Sequence, residues 1–119
     1  MCLDRLGGKI TDFRPVPGEK DCYYGWKVFI LERGRLRSRF METWVVRPYN
    51  EWMQSHQVGI STGHFSYHTG FHCYATRKAA RHFGYHISVR KVKFRKVLAL
   101  GEELLWPVAV AAEMMILKG

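Results

Sequence analysis

Acidic side chains are absent from Trp52 to Gly101, although the 119-residue chain has ten Asp and Glu against nineteen Lys and Arg, a formal charge of +9. That stretch therefore offers no carboxylate as a general base. Cysteine is scarce. Cys2, Cys22 and Cys73 form an odd set without a CxxC pair, which argues against a disulfide framework and a zinc knuckle and fits a reducing cytoplasm. Long apolar runs are missing too. Val108 to Leu117 falls short of the ~20 residues a spanning helix needs and is interrupted by Glu113. Met1 to Gly18 carries Asp4, Arg5, Lys9, Asp12 and Arg14, unlike a signal peptide or membrane anchor, so no membrane partner is expected. P-loop, GxGxxG, HExxH and paired-carboxylate patterns do not occur. The expectation is a non-catalytic protein with no cofactor. A nucleotide-modifying activity of ADP-ribosyltransferase type is the catalytic alternative.

What is present is enough for one core: 47% of residues are hydrophobic and 14% aromatic. Pro15, Pro17 and Gly18 among charges mark residues 1–22 as an extended lead-in, with a single domain over 23–119. The aromatic and β-branched run Tyr24 to Glu32 predicts a strand, and Arg33-Gly34 a tight turn into a return strand over Leu36 to Phe40. A short strand over Thr43 to Arg47 and an irregular aromatic connection follow. From His64 to Tyr74 apolar Phe65, Tyr67, Phe71 and Cys73 alternate with polar residues, the pattern of a half-buried strand or hairpin. Thr76 stands at an N-cap position before a helix over Arg77 to Phe83, which Gly84 ends. In His86 to Leu100 the apolar parity switches twice, predicting bulges or bends at Arg90-Lys91 and Arg95-Lys96. Val108 to Leu117 predicts a last, central strand, with a helix as the competing reading. The resulting fold class is α+β, mainly an antiparallel twisted sheet of about five or six strands with one short helix.

The acid-free region also contains Arg77, Lys78, Arg81, Arg90, Lys91, Lys93, Arg95 and Lys96 and all six histidines. Local positive charge without compensating acid draws anions, and interleaved aromatic rings stack on bases. The candidate ligand-binding residues are Phe71, His72, Tyr74 and Tyr85 against base and ribose, with Arg77, Arg81, Arg90, Lys93 and Arg95 on phosphates. The partner expected is an anionic nucleotide-like small molecule. Nucleic acid is the alternative on the same face, and direct binding to another protein's surface is a third reading, with Trp44, Tyr49, Trp52 and Trp106 as anchors. Metal binding by His64, His68 and His72 is disfavoured because residues four apart on a straight strand lie roughly 13 Å from one another. Cys73 is expected to be a small buried residue, since adjacent His72 points to the opposite face of a strand.

Several elements together resemble small accessory proteins of bacteriophages and prophages: the opening Met1-Cys2-Leu3, the strand Gly25 to Phe29, and Gly70-Phe71-His72 followed by Tyr74. The short Ala-containing helix, Lys91 to Val97 and the ending Val108 to Met114 complete the likeness. The resemblance implies an anti-defence protein that sequesters a nucleotide immune signal, such as a cyclic ADP-ribose derivative or a cyclic oligonucleotide, in the cytoplasm of an infected bacterium; in that setting the protein-binding alternative is an inhibitor that blocks a host defence protein. The apolar ending is hard to bury beneath one short helix, so a homodimer is the expected assembly, with a monomeric core as the competing account.

Overall fold

Strand-forming residues bounded by turn formers generate most of the described structure. The computed structural model describes residues 3, 5–32, 35–38, 49–55, 59–61, 66–68, 70–82 and 87–118. Its strands are β1 (Arg5–Leu6), β2 (Arg14–Pro15), β3 (Cys22–Glu32), β4 (Arg35–Ser38), β5 (Trp52–Gln54), β6 (Gly59–Ser61), β7 (Ser66–His68), β8 (Phe71–Tyr74), β9 (Ile87–Glu103) and β10 (Trp106–Ile116). The helix α1 covers Arg77–Arg81, and a single 3-10 turn covers Ile10–Asp12. Among the described residues the expected fold class thus resolves into an antiparallel sheet with one short helix. Helix is too sparse for the α+β label to carry more than that. The strand expected at Thr43–Arg47, and the residues Trp44, Phe83, Gly84 and Tyr85, lie outside the described residues.

The main sheet runs β1-β9-β10-β8-β3-β2, with β4 on β3 and β5 on β10, while β6 and β7 pair separately. β3 also pairs with β9 from Cys22↔Arg95 to Ile30↔Ile87. That pairing closes β9, β10, β8 and β3 into a ring with an inner core and an outer face that is covered where Leu3 and α1 pack on it. Inside lie Phe29, Phe71, Cys73, Val92, Phe94, Ala109, Ala111, Met114 and Ile116, with Phe13 from the N-terminal segment. Outside, Val28, Tyr74, Val108 and Val110 meet Leu3 and the helix residues Ala79 and Ala80. Alanine on α1 keeps the helix close to the sheet, and Thr76 Oγ1 caps it by accepting from the Ala79 amide at 3.1 Å.

Two sequence expectations are corrected by this closure. Phe71 to Tyr74 is buried on both faces rather than half-buried, because β8 sits between β10 and β3 with the inner core on one side and α1 on the other. The parity switch at Arg90-Lys91 is no bulge: pairing with β3 is unbroken there. β9 instead changes which face it buries, since Val89 packs with the outer cluster and Val92 with the inner one. The register does shift near the second expected position, where Val110 opposes Ala99 but Ala111 opposes Val97, leaving Leu98 as the extra residue. Lys96, at φ 57°, supplies the local kink.

The described residues of the N-terminal segment pack onto the domain. Leu3, Phe13 and Val16 are buried, and β1 and β2 pair with β9 and β3. β10 is a central strand whose residues Val108 to Met114 are buried within one chain. Among the described residues no helix is long and apolar enough to cross a membrane.

Candidate anion-binding cleft

Strand register brings Trp26 of β3 directly opposite Lys91 of β9, which places both side chains on one face of the sheet. The Thr76 cap fixes the start of α1, and from its first position Arg77 reaches over the Trp26 indole with its guanidinium carbon 5.8 Å from the ring centroid. Arg90 is steadied by donating from Nε to Ser88 Oγ at 3.0 Å. The chain beyond β10 is tied down by the Leu117 amide, which donates to the Lys91 carbonyl at 3.0 Å and carries Lys118 to the same place.

These residues, with Val89, line a cleft of about 430 Å³. That volume falls in the ordinary range for a small-molecule site. Its lining contains four cations, one indole face and two aliphatic side chains, and no acid, histidine or cysteine. Among the described residues none of Arg77, Arg90, Lys91 and Lys118 has an ion-pair partner. Such a lining can hold a planar base against the indole and phosphate oxygens against the guanidinium and ammonium groups.

The remaining cations of β9 are engaged elsewhere. Lys93 Nζ bonds Glu19 at 2.8 Å, while Arg95 Nε and Lys96 Nζ reach the two oxygens of Glu113 at 2.6 and 3.1 Å. Those two hydrogen bonds, with one from Gln54, hold the Glu113 carboxyl below its ordinary range despite desolvation.

The residues selected from sequence therefore separate into groups. Arg77 and Arg90 converge on the cleft. Arg81, one turn along α1, is exposed but not part of the lining, and Lys93 and Arg95 are ion-paired on the sheet face beyond it. Phe71, His72 and Tyr74 are 5%, 1% and 0% exposed, so they present no ring to a ligand at the surface. Burial, aided by nearby Lys27, pushes the His72 pKa down to about 3, so the ring is neutral. Cys73 is wholly buried and its thiol is pushed up to about 12, which keeps it protonated. Lys27 is itself enclosed with the inner core, its ammonium 5.8 and 5.7 Å from the Phe29 and Phe71 rings and donating to the His72 carbonyl at 3.4 Å.

Trp26, Lys91 and Lys118 were not among the sequence candidates. Trp26 and Tyr24 were legible as one face of a strand, but their cationic neighbours depend on a pairing between residues some sixty-five positions apart. Among the described residues there is no cluster of three or more His, Cys, Asp or Glu placed to hold a metal ion. No protein-family model, curated protein or solved structure matches the chain, so the functional reading rests on the chemistry of this cleft.

Proposed function

We propose that the protein is a non-catalytic binder of a nucleotide-derived anion. The observation that carries this reading is the convergence of Arg77, Arg90, Lys91 and Lys118 on Trp26 in a cleft with no lining carboxylate. Four cations held together repel one another, and a phosphate-bearing ligand relieves that repulsion while the indole takes its base. The size of the cleft suits one nucleotide unit of such a ligand.

In the biological setting suggested by the resemblance to phage accessory proteins, the binder acts in the cytoplasm of an infected bacterium and sequesters a nucleotide immune signal. Sequestration requires tight binding and intact release. Isothermal titration with ADP-ribose, a cyclic ADP-ribose derivative and a cyclic dinucleotide tests the reading, with saturable one-site heat expected from at least one. Absence of heat from all three overturns it. Mass spectrometry of the ligand after denaturing the complex distinguishes binding from turnover: an unchanged mass supports a sponge, and a cleaved or transferred product supports an ADP-ribosyltransferase-type enzyme instead.

A further inference from the structure

The sheet face that carries Trp26 continues away from the cleft as a row of rings and cations, with Met115 among them. Tyr24 lies two residues before Trp26 and so points the same way. Across the strands, Arg14, Tyr24, Lys93, Met115 and Trp52 stand side by side in register on β2, β3, β9, β10 and β5. Lys91 Nζ lies 4.5 Å from the Tyr24 ring centroid, and Trp52 carries Arg95 Cζ at 3.8 Å and Lys93 Nζ at 5.8 Å. Five adjacent strands at ~4.8 Å spacing make this row about 19 Å long.

The balance of charge along the row is positive. Glu113 sits low in the face, its side chain 7% exposed, and holds Arg95 and Lys96 together, leaving one cation in excess. Glu19 offsets Lys93 only, while Arg14 and Lys91 have no ion-pair partner among the described residues. Rings each with a cation within about 6 Å of the centroid are suited to unpaired bases flanked by phosphates. A duplex keeps its base faces stacked inside and would meet only the cations.

We propose that this row extends the cleft into a track for single-stranded nucleic acid, with successive bases on Trp26, Tyr24 and Trp52 and the backbone passing Arg77, Lys91 and Arg95. The proposal rests on reading the cleft as a nucleotide site, and it names the ligand class as an oligonucleotide strand of at least three nucleotides. Trp26 and Tyr24 are spaced about 6.7 Å along β3, and Tyr24 and Trp52 about 14 Å across three strand intervals.

Fluorescence anisotropy with a labelled 15-nucleotide oligothymidylate, beside calorimetry with ADP-ribose, tests it. Trp52→Ala and Arg14→Glu, both outside the cleft, are each expected to weaken the 15-mer roughly tenfold and to leave ADP-ribose affinity unchanged. Arg77→Ala is expected to weaken both ligands. Arg14→Glu lies on an exposed two-residue strand, so it keeps the test open should Trp52→Ala fail to fold. Unchanged 15-mer affinity in folded Arg14→Glu and Trp52→Ala proteins, with a loss in Arg77→Ala, removes the track and leaves the cleft reading standing. A 15-mer that responds to the track variants while ADP-ribose neither binds nor competes removes the compact-ligand reading instead. Equal affinity for the 15-mer and for a duplex of the same length overturns the single-strand assignment, as does no binding of the 15-mer at low salt.

Discussion

The Tyr74 hydroxyl donates a hydrogen bond to Oε2 of Glu103, joining two wholly buried side chains from β8 and the end of β9 beneath the outer cluster. Tyr74 thereby serves a buried carboxylate and is unavailable to a surface ligand. Tyr74→Phe removes the donor while preserving the ring. It is expected to cost about 1–3 kcal/mol in urea unfolding, the usual penalty for withdrawing one hydrogen bond from a buried acceptor. Ligand affinity of the folded variant should equal that of the parent; a selective loss of affinity at unchanged stability would return Tyr74 to the binding site.

The cleft cations have the opposite signature. Arg90 and Lys118 line the cleft without ion-pair partners among the described residues, so removing either relieves repulsion in the free protein and withdraws a phosphate contact. Arg90→Ala and Lys118→Ala are each expected to weaken ADP-ribose binding about tenfold, corresponding to roughly 1.4 kcal/mol, and to leave the thermal midpoint unchanged or slightly raised. Lys96→Ala, on the Glu113 network, serves as the control that leaves ADP-ribose affinity intact. Parallel calorimetry and thermal scans read both quantities.

Acid should destabilise the protein through His72. Its folded pKa of about 3 lies below its ordinary 6.5, so between those values the unfolded chain binds a proton that the folded chain refuses. The contribution is present above the unfolded pKa and is lost as pH falls below it. Lowering the pH from 7 to 5 is expected to remove about 2 kcal/mol, on the linkage of 1.36 kcal/mol per pKa unit. Glu113, also depressed, adds loss of the same sign only at lower pH, near and below its ordinary 4.5. Urea unfolding at both pH values should show this loss in the parent and a much smaller one in His72→Gln. An equal loss in the two proteins would assign it to other groups.

Gly70 precedes the buried strand β8 at a point where the chain passes close to β10. A Cβ there would lie 2.5 Å from the Ala111 carbonyl oxygen and 3.2 Å from Leu98 Cδ1. Backbone oxygen on the neighbouring strand cannot swing aside, so Gly70→Ala is expected to destabilise by roughly 1–3 kcal/mol or more. Chemical denaturation checks the magnitude. The glycine of the Gly70-Phe71-His72 tripeptide is thus explained by close strand approach, without any contact to ligand.

Local chemistry was sufficient for several elements. Aromatic and β-branched residues specified β3, the Thr76 hydroxyl specified the start of α1, and the apolar run at the end specified a buried strand. In each case the signal lies within a few residues of the structure it produces. The parity of β9 was legible as well, yet its cause was not. A change of parity is produced equally by an extra residue or by a strand that buries one face at one end and the other face further on, and only the partners across the sheet distinguish them. At Arg90-Lys91 it was the change of face, and at Leu98 the extra residue.

The sequence by itself determined a basic chain, an acid-free middle and a sheet-rich architecture with one capped helix, because charge is additive and secondary-structure signals are local. Only the tertiary structure decided which rings and cations are available. Closure of β9, β10, β8 and β3 into a ring covered both faces of Phe71 to Tyr74 and withdrew three candidate residues into the interior. The same long-range pairing set Trp26 beside Lys91 and Glu19 near Lys93, while the β9–β10 pairing set Glu113, also from outside the acid-free stretch, against Arg95 and Lys96. Salt bridges and stacking act over a few ångströms in space, and distance along the chain carries no information about them until the strands have paired.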